Sequence, residues 1–265
     1  MRQRIAYINP AATGSQDALM ESVLRPAAAD GTDLSVLHLA GVPGDIAFYL
    51  PKHIIELRLF ELIPRLEEQG YDAVVIGCCF DPGVRVAREF ARIPVVGPTE
   101  ASVGYVTCFG RDFSVVTDSP KTGAWIADLI AIYGTTLCRG IHSIEWAVPD
   151  MLDNAPQVAE AAAETIERAL DQDRSEVAIV GCTTVAACLD QETQRTGGYA
   201  GLPYLNPAIL ALKMAESLAQ LSQQGRYRPS RRGLYSRHED AAEAEAKEVR
   251  SRYKLTDLKA PGPAR

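Results

Sequence analysis

The chain has 265 residues, 47% of them hydrophobic, and a formal net charge of −7. That length holds one large or two medium domains with ample core. The acidic balance argues against a nucleic-acid surface, and no apolar stretch reaches the length that a membrane span needs.

The apolar run behind Met1-Arg2-Gln3-Arg4 is short and ends at Asn9-Pro10. It reads as a first strand over residues 4–8 and not as a signal peptide. A loop of small and polar residues, 9–15, precedes a helix over 16–29 and a strand over 34–39. Residues 41–50 are rich in Gly and Pro turns, a stretch suited to covering a site, with Tyr49 near its end; His53, just beyond it, reads as a surface residue. Residues 52–69 carry Ile55, Leu59, Leu62, Ile63 and Leu66 at helical spacing. The β-branched run Ala73-Val74-Val75-Ile76 then reads as a buried strand that delivers Gly77-Cys78-Cys79 at its C-terminal end. Asp81-Pro82-Gly83 is a turn signal, followed by a helix over 84–90, a short strand over 93–96 and a helix over 100–109.

The order then starts again. A strand is predicted over 113–118, a helix over 123–133, a strand within 141–147 and a helix over 155–169. A second buried strand over 177–182 ends in Gly181-Cys182-Thr183. Residues 202–207 parallel 93–98, and 208–223 form a final helix. Cys78 to Cys182 spans 104 positions and Pro94 to Pro203 spans 109, offsets that unrelated strands would not keep. The fold class is therefore α/β: two pseudo-symmetric, open parallel-sheet halves with a cleft between them. The division is 1–98 plus 205–225 for one domain and 99–204 for the other. Strand tips facing one cleft are where ligands bind in such sheets. Residues 226–265 change character. They run from a basic Pro/Ser stretch through a charged, alanine-rich helix over 238–253 to a Pro/Gly-rich end over 259–265. This extension suits packing on a neighbouring subunit or disorder.

Two thiols on equivalent strand tips are the main chemical clue. Racemising a carbon beside a carbonyl needs a proton removed from one face and another delivered to the opposite face. Two opposed cysteines can do both, one as thiolate and one as thiol. A helix N-terminus just after each cysteine would favour the thiolate, and its N–H groups could stabilise an enolate. A single cysteine ending a buried strand is ordinarily a small core residue; two at matching positions are harder to ascribe to packing. The scheme needs no cofactor, and no His/Cys spacing resembles a metal site. The six cysteines, without a secretion signal, read as reduced thiols of a cytoplasmic protein. The alternatives are a cysteine-nucleophile cis-trans isomerase of the maleate type and a non-catalytic binding or thiol-redox protein.

Asp81 reads as a cap for the helix that follows it or as a group orienting its loop, Glu100 equally as a cap after Pro98 or a ligand contact, His142 as a strand or surface histidine, and Cys188 as core. Cys108 and Cys138 have no motif around them.

Several stretches resemble the hydantoin/allantoin racemase branch of the aspartate/glutamate racemase superfamily. They are Ile8-Asn9-Pro10, Cys78-Cys79-Phe80-Asp81-Pro82-Gly83, Gly97-Pro98-Thr99-Glu100-Ala101, Phe113-Ser114-Val115-Val116-Thr117, Gly181-Cys182-Thr183 and Ala211-Leu212-Lys213-Met214-Ala215-Glu216. The resemblance implies catalytic Cys78 and Cys182, no cofactor, a small-molecule substrate and a homo-oligomer. It places Asn9 and the backbone N–H groups of Cys79, Phe80 and Thr183 against substrate, with Thr117 and Asp118 on the opposite strand tip. The chain departs from the branch at Ala11, where Asn is usual, at Cys79, where Phe is usual, and at Asp118, where Thr or Ser is usual. Gly181-Cys182-Thr183 is closer to the amino-acid racemases. The superfamily's decarboxylases keep one cysteine, whereas this chain keeps both. The expected reaction is racemisation or epimerisation of a hydantoin-like cyclic ureide or a related carbon acid.

Overall fold

The computed structural model describes residues 2–252 except Asp45 and Arg228. The first half runs β1 (Gln3–Asn9), α1 (Asp17–Ala27), β2 (Thr32–His38), α2 (Tyr49–Glu68), β3 (Ala73–Ile76), α3 (Val84–Phe90), β4 (Val95–Val96) and α4 (Pro98–Tyr105). The second repeats that order as β5 (Phe113–Thr117), α5 (Pro120–Ile132), β6 (Cys138–Ser143), a single-turn α6 (Val148–Met151), α7 (Ala155–Asp173), β7 (Val177–Val180), α8 (Thr183–Thr196), β8 (Tyr204–Leu205) and α9 (Pro207–Gln223). Two short helices follow, α10 (His238–Ala241) and α11 (Glu243–Arg252). The predicted helix to 253 and the Pro/Gly-rich end at 259–265 reach beyond the described residues.

Each half is a four-stranded parallel sheet, in the orders β2-β1-β3-β4 and β6-β5-β7-β8. The central strands are covered on both faces, and β3, β5 and β7 are buried along their whole length. That burial explains why they read as unbroken apolar runs. The repeat extends to single backbone bonds. Gly77 N–H donates to Ile8 O and Gly181 N–H to Val116 O; Val74 N–H donates to Pro94 O and Ala178 N–H to Pro203 O. One apolar core runs through both halves, joining Tyr7 and Val75 to Val180, Ala186 and Leu212. Helix α9 lies against β1, β3 and β4 of the first sheet and against α4.

Three sequence expectations shift. The strand predicted within 141–147 is β6, which starts at Cys138 and ends at Ser143. Gly140 belongs in it because the Asp173 carboxylate lies 2.2 Å from where a Cβ would stand, and Glu145 leaves the sheet at φ +57°. The helix predicted over 100–109 begins at Pro98, whose fixed φ suits a first helical position. Both cysteine strands stop two residues short of their thiol, which places the sulfurs on the tips and not in the ladders. Among the described residues, no helix is long and apolar enough to cross a membrane.

Candidate active site

The two Gly-Cys pairs are built by the same steric device. A Cβ on Gly77 would stand 2.3 Å from the Tyr7 ring, and one on Gly181 would stand 2.6 Å from Ile126 Cδ1 and 2.9 Å from Val115 Cγ1. Only glycine lets these side chains pass beneath each tip. The tips then meet: the Thr183 hydroxyl donates to Gly77 O over 3.2 Å, across the boundary between the halves. On the second tip, the wholly buried Thr117 hydroxyl donates to Gly181 O at 2.9 Å and to Asp118 Oδ1 at 3.0 Å.

Cys78, Cys79 and Cys182 are free thiols gathered at this junction. Ionising Cys78 disfavours ionising either of the others, and Cys182 acts likewise on Cys79. The N–H groups after each cysteine favour the thiolate as expected, but burial outweighs them. Burial raises Cys182 well above the ordinary thiol value; nearby Asp118 adds to this, and the Val185 and Thr184 N–H groups of α8 offset only part of it. Burial likewise pushes Cys78 up to about 12; the Phe80 N–H pulls it down, Asp81 and Asp118 push it up, and Lys52 pulls it down. The two cysteines are also less alike than expected. Cys182 is the N-cap of a 14-residue helix, whereas Cys78 is separated from the seven-residue α3 by the Asp-Pro-Gly turn. Cys79, also raised by burial, turns away into the core of the second half beside Phe113, Val115 and Ile179, with its sulfur 4.0 Å from Val180 O.

The Cys78 loop is held from behind. The Asp81 carboxylate accepts from Thr99 N–H (3.0 Å), Glu100 N–H (2.8 Å) and the Tyr133 hydroxyl (2.6 Å). Thr99 Oγ1 donates to Cys79 O over 2.6 Å. Asp81 thus caps α4 and not the helix that follows it, because the turn points its carboxylate across to Gly97. A Cβ on Gly97 would stand 2.3 Å from that carboxyl carbon. Burial raises Asp81 to about 7 despite these three donors. Glu100 does not cap; its carboxylate pairs with Arg88.

The remaining expected contacts are engaged within the fold. The Asn9 amide donates to Asp17 Oδ1 at 2.7 Å, and Asp17 Oδ2 meets His38 Nδ1 at 2.8 Å. Asp118 accepts from Thr122 Oγ1 at 3.0 Å as well as from Thr117, and burial raises its carboxyl. The Phe80 ring packs on Trp125 at 4.9 Å, and Trp125 stacks on Tyr49 at 4.4 Å. Lys52 Nζ lies 5.1 Å from the Trp125 ring and pairs with Glu56. The start of α2 thus packs on α5 through Tyr49 and Trp125, with Tyr49 itself exposed; His53 is paired with Glu56. Trp125, Lys52 and Tyr133 escape sequence reading, since each reaches the site from a helix with no motif around it. His142 pairs with Asp173 at 2.8 Å, and Cys188 is buried in the core. Among the described residues, no cluster of His, Cys, Asp or Glu could hold a metal ion.

Two parallel-sheet α/β halves of this kind are the two-domain fold of the racemase structures that this chain matches. The chain belongs to the Asp/Glu/Hydantoin racemase family, whose model matches residues 5–215, and it is accordingly an isomerase. It is 32% identical over 222 residues to a hydantoin racemase of Rhizobium meliloti, covering 81% of this chain and 88% of that protein. The allantoin racemase structure from Klebsiella pneumoniae superposes with a TM-score of 0.79 at 30% identity, covering 89% of this chain and 93% of that one. The allantoin racemase from Pseudomonas fluorescens gives 0.76 at 25% identity, covering 89% and 97%.

Proposed function

We propose that this isomerase racemises or epimerises a hydantoin-like cyclic ureide without a cofactor, using Cys78 and Cys182 as its two acid-base groups. One sulfur, as thiolate, removes the proton from the ring carbon beside the carbonyl. The C–H electron pair moves into the carbonyl as an enolate, and the opposing thiol protonates the other face. The product leaves with the protonation states of the sulfurs exchanged. The observation that carries this reading is the meeting of the tips, with Thr183 beside one cysteine bonded to Gly77 beside the other. The contacts of Phe80, next to Cys79, with Trp125 and of Trp125 with Tyr49 support it by placing apolar surface beside the first tip.

Charge supports the ring substrate. Asp81 and Asp118 both act on Cys78, and Lys52 offsets them only in part. A neutral ureide enters that field at less electrostatic cost than an amino-acid carboxylate does. The names of the similar hydantoin and allantoin racemases agree.

The test is circular dichroism of enantiopure 5-substituted hydantoins, allantoin and amino acids incubated with the enzyme, repeated in D2O. Decay of the ring-ureide signal with one deuterium entering at the stereocentre is expected. Racemisation confined to amino acids would sink the substrate assignment, and a trapped covalent adduct on either cysteine would replace proton transfer by nucleophilic chemistry.

A further inference from the structure

The family match ends at residue 215, and the chain beyond it packs on the outer end of α3. After α9 it crosses the first half, where the Arg231 guanidinium donates to three carbonyl oxygens at the C-terminal end of α3. These are Arg88 O (2.8 Å), Glu89 O (2.8 Å) and Ala91 O (2.5 Å). Such carbonyls have no partner within a helix, and the helix dipole favours a cation there. A helix of seven residues is too short to hold itself and depends on such outside contacts.

The contacts continue inward. Burial works against the Arg88 charge, and Glu100 and, after it, Tyr235 favour it. Arg88 donates to Val95 O from Nε (3.0 Å) and Nη2 (2.7 Å), and to Glu100 Oε1 over 2.6 Å. The N–H groups of Glu100 and Thr99 hold Asp81, and Thr99 Oγ1 holds Cys79 O. Asp81 N–H donates to Cys78 O at 2.9 Å. Every link from Arg231 to the backbone of Cys78 is thus a hydrogen bond, an ion pair or the short α3 itself.

We propose that Arg231 is a positioning residue for Cys78: docking of the C-terminal extension on α3 fixes the turn that sets the height of this thiol in the cleft. The inference rests on the reading of Cys78 as a reacting thiol. Arg231 touches neither cysteine and acts through Arg88, Glu100 and Asp81.

The test uses the full chain with Arg231→Ala, Arg231→Lys and Tyr235→Phe, the last removing one hydroxyl from a folded protein. Iodoacetamide labelling of each cysteine is followed by peptide mass spectrometry alongside racemisation kinetics. Labelling of Cys78 in Arg231→Ala should quicken by about threefold or more, as a loosened loop opens more often, with Cys182 unchanged. kcat should fall roughly tenfold with little change in KM, because misplaced reacting groups lose rate more than binding. Arg231→Lys should recover part of both effects, and Tyr235→Phe should move them the same way by less. Labelling and kcat at wild-type levels in Arg231→Ala would overturn the proposal. So would an equal rise at Cys78 and Cys182, which would mean general loosening. Labelling needs no substrate, so it judges the brace even if no ring ureide is turned over; that second failure would fall on the racemase reading alone.

Discussion

The Thr183 hydroxyl donates to the Gly77 carbonyl oxygen over 3.2 Å, joining the residue after one paired cysteine to the residue before the other. Thr183 is buried, so Thr183→Val keeps the shape and removes only the donor. Leaving a buried carbonyl unpaired costs about 1–3 kcal/mol, and each kcal/mol shifts Tm by about 2–4 °C in a chain of this size. Tm should fall accordingly, and kcat should fall more than KM rises as the tips lose register. Thermal melts and steady-state kinetics measure both. A variant with unchanged Tm and kcat would make the bond incidental.

The cysteines are not equivalent, and their variants should differ. Cys78→Ala and Cys182→Ala should each abolish racemisation, because one face of the substrate then has no acid-base group. Each can still exchange deuterium into the enantiomer whose proton faces the remaining thiolate, which NMR in D2O detects. Cys79→Ala should keep part of the activity, since this side chain packs beside Phe113, Val115 and Ile179. Loss of all activity in Cys79→Ala, with Cys78→Ala active, would move the role to the other sulfur of the pair.

Burial sets the expected pH profile. The proposed proton transfer needs one sulfur ionised, and Cys78 is pushed up to about 12 with Cys182 also raised. A raised acid gives less thiolate at neutral pH, so kcat/KM should climb with pH through the alkaline range. It should not level off near the ordinary thiol value of about 8.5. Rates measured against pH within the stable range decide this. A plateau at or below that value would mean that the bound substrate, and not the burial seen here, governs the thiols.

Much of this was legible in the sequence for a physical reason. Strands covered on both faces must be apolar throughout, so Val74-Val75-Ile76 and Ala178-Ile179-Val180 announced themselves, and the turn chemistry of Asp81-Pro82-Gly83 marked the loop after them. The spacing between the two Gly-Cys pairs carried the duplication. The electrostatics were not legible: whether a helix N-terminus beats desolvation depends on how tightly a sulfur is enclosed, and burial wins at both Cys78 and Cys182. Nor was the target of Asp81, because a residue at φ +44° aims its side chain at α4 in three dimensions and not at its sequence neighbours. Trp125 and Tyr133 come from the other half, and contacts between distant segments leave no local pattern.

Asp81 offers a stability test independent of turnover. Its carboxyl is buried and raised to about 7 in the fold, against about 3.9 in an unfolded chain. Between those two values the folded protein therefore binds more protons than the unfolded one, and stability falls as pH rises. The contribution is complete below about pH 4 and is lost as pH climbs through 7. Asp81→Asn cannot ionise yet keeps a carbonyl acceptor for one of the α4 amides, so its urea-unfolding free energy should lose this slope. It should gain on the wild type at pH 8 relative to pH 5. Asp81→Ala removes the cap itself and should be less stable than Asp81→Asn at both pH values, by about 1 kcal/mol. Parallel pH profiles for wild type and Asp81→Asn would mean that the donors from Thr99, Glu100 and Tyr133 outweigh burial, leaving the carboxylate charged throughout.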